Sequence, residues 1–143
     1  MSKNNQSTNA FLIHISAFAG FIFPLGHIIT PLIAWQTLKK SSSFLDEQGK
    51  EAVNFNLSYT LYTVIITLCF IPFAFGSSYR EFISFNNFNF NYKLNTDYIF
   101  SFLGLGSLTG IIYLAGVILV IIASTKARDG LPYKYPFTIK FLK

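Results

Sequence analysis

The chain has 143 residues, of which 52% are hydrophobic and 12% are charged, with a formal net charge of +5. Soluble domains carry about 25% charged residues, and here Asp, Glu, Lys and Arg are absent from three long stretches, 4–38, 52–79 and 98–125. Each stretch exceeds the roughly 20 residues that a helix needs to cross a bilayer. The composition excludes a soluble globular protein and predicts an all-α integral membrane protein, one membrane domain over 1–143 with three transmembrane segments.

The first predicted segment, 11–38, is interrupted by Pro24, Gly26 and Pro31. Proline removes a backbone donor and crowds the preceding turn, so we expect a break near Phe23–Gly26. We expect the segment to cross the membrane once, kinked and tilted, and to be retained rather than cleaved as a signal peptide. The alternative is a re-entrant pair of short helices that leaves on the side it entered.

Two further spans are predicted at 52–76 and 98–125, and both are expected to be helical because a spanning segment must satisfy its backbone internally. The third span contains "GSLTG", in which Gly106 and Gly110 are spaced for close helix packing. We expect these glycines to pack inside the same chain, with homodimerisation as the alternative.

Basic residues predict the orientation. The 39–51 loop and the tail beyond 125 together carry eight Lys and Arg residues, whereas the 80–97 loop carries two. The positive-inside rule makes the first loop and the tail cytoplasmic. The 80–97 loop is rich in Phe, Tyr and Asn, and its "FNFNY" stretch predicts a short strand or an extended interfacial segment.

No catalytic constellation, phosphate-binding loop or metal-ligand spacing is present, so we expect neither an enzyme nor a cofactor or metal, and no nucleic-acid partner. His14 and His27 are the ionisable residues of the first segment, and such residues are functional candidates. A structural role is the plainer interpretation, because His27 follows a break where freed carbonyls need donors. Two histidines without further ligands do not predict a zinc site.

The stretch "SSSFLDEQGKEAVNFN" leads from a polar turn into the second span. Lys50, Asn54 and Ser58 recur every four residues and share one helix face. Amides that face lipid would be unsatisfied, so this face is predicted to pack on another helix. The expected partner is the broken first segment, and the predicted polar cluster consists of His27, Thr30, Gln36, Lys50, Asn54 and Ser58.

Three stretches together resemble a family: "HISAFAGFIFPLGHIITPLIAW", "DEQGKEAVNF" and the tail "YKYPFTIKF". They look like small bacterial membrane proteins of uncharacterised function that are similar to the Tic-twenty subunit of the chloroplast import translocon. The resemblance implies a non-enzymatic subunit or accessory factor of a transport or protein-translocation complex, with the bilayer and other membrane subunits as partners. It also implies a location in the inner membrane of a bacterium. The alternative is a small homo-oligomeric channel or transporter, in which the chain is its own partner.

Overall fold

A computed structural model of the chain describes residues 2–83 and 96–143, with side chains at 2–69, 100 and 103–143. Within these ranges the elements are all helical, as predicted: α1 (Lys3–Ile15), a 3-10 helix (Ser16–Phe21), α2 (Gly26–Leu38), α3 (Ser43–Ile83) and α4 (Thr96–Arg128). The prediction of an interfacial stretch at "FNFNY" lies outside the described residues.

The first predicted segment is broken where its proline and glycine indicate. α1 gives way to the 3-10 helix after Ile15, and α2 begins only at Gly26. Leu25 takes the left-handed conformation, with φ of 60°, which reverses the chain directly after Pro24. Gly26 lies against the backbone of Ala19, where any Cβ would collide. A glycine is therefore required for the close approach of α2 to the 3-10 helix.

The reversal makes this segment a hairpin with both ends beside the first turns of α3. Ser42 Oγ donates to Gln6 Oε1 at 3.1 Å, which joins the beginning of the segment to its end. The bend lies further along α3, where His27 Nε2 is 2.7 Å from Thr60 Oγ1. This geometry favours the re-entrant alternative over the expected single crossing, and three transmembrane segments are not confirmed.

Two helices of the described residues are long and apolar enough to cross a membrane, Ser43–Cys69 in α3 and Leu103–Arg128 in α4. The predicted spans 52–76 and 98–125 fall largely on these helices. The predicted loop 39–51 is mostly helical instead, because α3 already begins at Ser43. Only 33% and 11% of the respective apolar stretches are buried inside the protein. A core helix of a soluble protein would be mostly buried, so the exposed apolar surface agrees with a lipid environment.

The chain divides into two compact units, Tyr62–Leu114 and a second composed of Met1–Leu61 with Ala115–Lys143. A single domain over 1–143 stays a prediction. The second unit, which we call the terminal unit, holds the hairpin, the start of α3, the end of α4 and the tail. Two apolar clusters form its core. One consists of Ala10, Ile13, Leu45, Ala52 and Ala127, and the other of Ala17, Phe55, Val120, Ala123 and Tyr135.

The end of α4 directs the tail back toward α3. Gly130 is left-handed, with φ of 74°, and its N–H donates to Ala127 O while Leu131 N–H donates to Lys126 O. This pair of bonds is the Schellman arrangement, in which glycine is the usual residue because it has no Cβ to clash. The tail of residues 131–143 then packs on the polar face of α3.

Candidate functional site

The hairpin and the tail both pack on the first turns of α3. Trp35 of α2 donates its indole N–H to Asp46 Oδ1 at 2.9 Å, and Lys50 pairs with the other oxygen of Asp46 at 2.7 Å. Trp35 also lies against the backbone of Gly49, where an added Cβ would overlap the ring. The glycine in "DEQGKEAVNF" is therefore explained by the tryptophan that packs over it.

A buried polar network joins α1, α3 and the tail through Gln48. Gln48 Oε1 accepts the backbone N–H of Tyr133 at 3.1 Å and lies 3.2 Å from His14 Nε2. Because an amide oxygen can only accept, His14 carries its proton on Nε2, and Nδ1 accepts from the Tyr135 hydroxyl at 3.0 Å. His14 and Gln48 are fully buried.

The protonation of this network is set by burial. Burial lowers the pKa of His14 to about 4, against the opposing effect of its hydrogen bond with Gln48, and His14 lies outside both candidate spans. Burial likewise raises the pKa of Tyr135 far above its usual range. At neutral pH the imidazole and the phenol are both uncharged, which is the state that this hydrogen-bonded pair requires. The network therefore holds α1, α3 and the tail together through hydrogen bonds between uncharged groups.

The tail ring of Tyr135 is fixed from the other side by an aromatic contact. It stacks on Phe55 of α3, with ring centroids 4.0 Å apart and planes 11° from parallel. Tyr133 meets Tyr135 edge to face at 5.1 Å, and Lys126 lies 5.5 Å above the Tyr133 ring. These contacts anchor the tail by its two tyrosines.

Further along the tail, Asn54 and Ser58 bind its backbone. Asn54 Nδ2 donates to Leu142 O at 3.0 Å, and Asn54 Oδ1 accepts from Leu142 N–H at 2.8 Å. The side-chain amide thus pairs with both backbone groups of one residue, as the backbone of a neighbouring strand would. Ser58 Oγ accepts from Ile139 N–H at 2.9 Å and donates to the carbonyl of Asn54 at 2.7 Å. We call Gln48, Asn54 and Ser58 the tail clamp.

A charged cleft of about 160 Å³ lies between the start of α3 and the tail, beside Asn54 of the clamp. Acidic and basic side chains line it together, which distinguishes it from the apolar surroundings. Its lining residues are Glu47, Lys50, Glu51, Asn54, Lys134, Lys140, Leu142 and Lys143. Among the described residues, the cleft included, no group of three or more His, Cys, Asp or Glu side chains could hold a metal ion.

Comparison with known proteins identifies the family. A model described as the magnetosome magnetite crystal formation protein family (MamF/MmsF) matches residues 5–142. The chain belongs to this family. No curated protein and no solved structure matches the chain. Membership in the family and the two apolar helices of α3 and α4 indicate a small membrane protein of the kind involved in magnetosome crystal formation.

Membership in the magnetosome family corrects the resemblance drawn from the sequence. The three stretches that looked like Tic-twenty relatives all lie within residues 5–142, which the magnetosome family model covers. The expected family was therefore wrong, and the transport and translocation functions that it implied do not follow. The stretches themselves form the hairpin, the start of α3 and the tail, which contact one another in the terminal unit.

The predicted polar cluster is divided by the structure. Asn54 was expected to reach the stretch from Pro24 to Pro31. Instead, Asn54 and Ser58 both bind the backbone of the tail. That prediction was wrong because the tail supplies backbone groups, which leave no side-chain signature in a sequence. Lys50 pairs with Asp46 rather than with the hairpin.

The remaining members of the cluster do not join the clamp. Thr30 Oγ1 lies 2.6 Å from Ser16 O and 2.7 Å from Gly26 O, so it satisfies carbonyls at the break. His27 meets Thr60 deeper along α3, and Gln36 is exposed on α2.

The two glycines predicted to pack helices closely have no such contact in the described chain. An added Cβ at Gly106 or Gly110 would meet no atom within 4 Å. In α4 it is Gly116 that is close to a neighbour, since a Cβ there would lie 2.8 Å from the Tyr59 ring. Gly116 and Tyr59 both belong to the terminal unit.

Three residues of the site were missed from the sequence. Gln48 and Tyr135 were overlooked because a single amide and a tail tyrosine have ordinary interfacial interpretations. Gly49 carried the one usable signal, since a glycine inside a helix costs about 1 kcal/mol and calls for a packing reason.

Proposed function

We propose that this chain is a non-enzymatic accessory protein of magnetosome crystal formation, inserted in a bacterial inner membrane with the hairpin, the 39–51 loop and the tail on the cytoplasmic side. The observation that carries the proposal is the family match over residues 5–142, which includes the whole of the tail clamp. A small helical membrane protein suits a supporting role in crystal formation.

The geometry of the polar residues supports a structural role for the site. In the described chain, the side chains of His14, Asn54 and Ser58 are all hydrogen-bonded to other parts of the protein itself. A catalytic base or nucleophile would instead need to reach a substrate within hydrogen-bond distance. These residues fasten the tail to α3, and so they preserve the shape of the terminal unit.

The orientation follows from the hairpin together with the basic residues. A re-entrant first segment brings Lys3 to the same side as the 39–51 loop and the tail, which gives nine of the eleven Lys and Arg residues to that side. The positive-inside rule then favours a cytoplasmic location for it. The exposed apolar side chains of α4 are available to lipid or to partner subunits, including a second copy; among them are Leu103, Ile111, Leu114 and Ile118.

The proposal is tested by complementation. A magnetite-forming bacterium lacking its own family member would express the tagged chain, and crystal diameters would be measured by electron microscopy alongside fractionation of the magnetosome membrane. We expect the chain to reach that membrane and to restore crystal size. A chain that reaches the magnetosome membrane without changing the crystals would overturn the proposal.

The non-enzymatic part is tested by one conservative variant. His14→Gln preserves a hydrogen-bonding side chain but removes the imidazole, so a structural role predicts that crystal size is still restored. Suppose that the variant is present at the wild-type level and that its tail amides are as protected from hydrogen exchange as in the wild type. If the normal crystal size is nevertheless not restored, chemistry at His14 is indicated instead.

A further inference from the structure

The charged cleft beside the tail clamp contains groups that the packing of the protein does not use. It lies at the level of α3 where charged residues end, since Glu51 is the last charge before a stretch of 28 uncharged residues, 52–79. In a membrane-inserted α3 this level corresponds to the lipid headgroups, because charges are costly in hydrocarbon and accumulate at its border.

Glu51 is the most informative residue of the cleft. The residue as a whole is 9% exposed, and its carboxylate, which lines the cleft, forms neither a hydrogen bond nor an ion pair within the described chain. A carboxylate in a largely covered position without a partner suits a cation as its ligand. Its position in the wall of the cleft makes the cleft the route by which a cation could reach it.

The opposite side of the cleft is basic. Lys134, Lys140 and Lys143 are exposed on the tail and line the cleft. The ion pair recorded among the described residues is Lys50 with Asp46, so no carboxylate of the described chain lies within 4.0 Å of these three lysines. Lysine ammonium groups at a membrane surface bind phosphate oxygens. On the α3 side, the ammonium of Lys50 is paired with Asp46, which leaves the carboxylates of Glu47 and Glu51. The tail side of the cleft therefore suits an anion, and the α3 side suits a cation.

We propose that the cleft binds the phosphoethanolamine headgroup of a phospholipid, with the ammonium on Glu51 and the phosphate among the tail lysines. A single ligand that carries both charges satisfies both sides at once, and about 160 Å³ accommodates a group of this size. The proposal concerns the lipid environment of the terminal unit and is independent of any role in crystal formation.

The chemistry of the headgroup gives the proposal its selectivity. A primary ammonium can donate up to three hydrogen bonds to a carboxylate, whereas the quaternary ammonium of choline can donate none. A glycerol headgroup offers a phosphate but no cation for Glu51. Since a hydrogen bond with a charged group contributes about 1.5–3 kcal/mol, phosphatidylethanolamine should bind about tenfold more tightly than lipids without the ammonium donor.

The test is native mass spectrometry of the full-length protein in detergent. Phosphatidylethanolamine, phosphatidylcholine and phosphatidylglycerol with identical acyl chains would be titrated separately, and the bound fraction measured. We expect about tenfold tighter binding of phosphatidylethanolamine than of the other two. Glu51→Gln should abolish its advantage over phosphatidylcholine, and Lys134→Gln with Lys140→Gln should weaken all three lipids.

Two matched controls remove a charge outside the cleft. Asp129→Asn removes an exposed carboxylate after α4, and Lys40→Gln removes an exposed ammonium between α2 and α3; both should leave lipid binding unchanged. The lysine variants change exposed tail residues and so test the cleft even if Glu51→Gln fails to fold.

Phosphatidylglycerol binding as tightly as phosphatidylethanolamine would indicate simple attraction of anionic lipid to the basic tail, and would overturn the proposal. Displacement of the lipid by an equal concentration of soluble glycerophosphoethanolamine would assign the cleft to a soluble ligand and would also overturn it. An unchanged lipid ranking in Glu51→Gln would remove the assigned role of the carboxylate.

Discussion

Replacing Asn54 with leucine should release the end of the tail without unfolding the terminal unit. The substitution removes two hydrogen bonds to the backbone of Leu142, one to its carbonyl at 3.0 Å and one from its N–H at 2.8 Å. Each is worth about 0.5–1.5 kcal/mol net, so the tail end should lose about 1–3 kcal/mol of binding free energy. The tail would remain anchored upstream by Tyr135, which stacks on Phe55 and bonds to His14.

Hydrogen exchange of the backbone amides measures this effect at the residue concerned. A loss of about 1–3 kcal/mol corresponds to exchange at Leu142 that is faster by about 5- to 150-fold, while Tyr133 keeps its protection through Gln48. The matched control is Asn56→Leu, because Asn56 is also buried on α3 but donates to Ala52 of its own helix. Unchanged exchange at Leu142 in Asn54→Leu, or an equal acceleration in Asn56→Leu, would refute the assigned role of Asn54.

Three further predictions concern packing, pH and topology. Gly49→Ala should cost about 1–3 kcal/mol by displacing the single tryptophan, seen as a lower melting temperature and a red-shifted tryptophan emission. Gly106→Ala, with open space around it, should leave the emission unchanged and should not lower the melting temperature, because alanine favours the helix. Because the pKa of His14 is about 4 in the folded protein against an ordinary 6.5, the folded state binds fewer protons than the unfolded state below pH 6.5. The free energy of unfolding should therefore fall by up to about 3 kcal/mol between pH 6.5 and 4. His14→Gln should reduce the dependence of the melting temperature on pH over that range, and an unchanged dependence in the variant would assign the effect to another group. In a cysteine-free background, an impermeant thiol reagent added to intact cells should label Asn87→Cys but not Gln6→Cys. Labelling of both would instead support a first segment that crosses the membrane once.

The break in the first segment was predictable because its cause is local. Pro24 and Gly26 restrict the backbone wherever they occur, so the position of the break follows from the sequence. The direction of the chain after the break was not predictable, because it depends on contacts between distant residues. Ser42 with Gln6 and Trp35 with Gly49 fix the hairpin, and none of these residues is distinctive alone.

The need of Asn54 for a partner was also predictable, whereas the identity of the partner was not. A buried amide near the beginning of a membrane helix must be satisfied by something, and this much follows from its position on the stripe with Lys50 and Ser58. Judged by side-chain type alone, the hairpin was the favoured partner, because it contains His27 and Thr30. The actual partner is the backbone of the tail.

The tail and the polar face of α3 satisfy each other's hydrogen-bonding groups. With Pro132 and Pro136 the tail cannot form a long helix, so its backbone N–H groups would lack acceptors wherever it packs against an apolar surface. The clamp supplies acceptors to Tyr133, Ile139 and Leu142. In turn, the backbone of the tail gives Gln48, Asn54 and Ser58 of α3 hydrogen-bond partners in their buried positions. Since most of these bonds use the backbone of the tail, its side chains other than Tyr135 can change while the pairing persists, whereas a change in the clamp affects both segments.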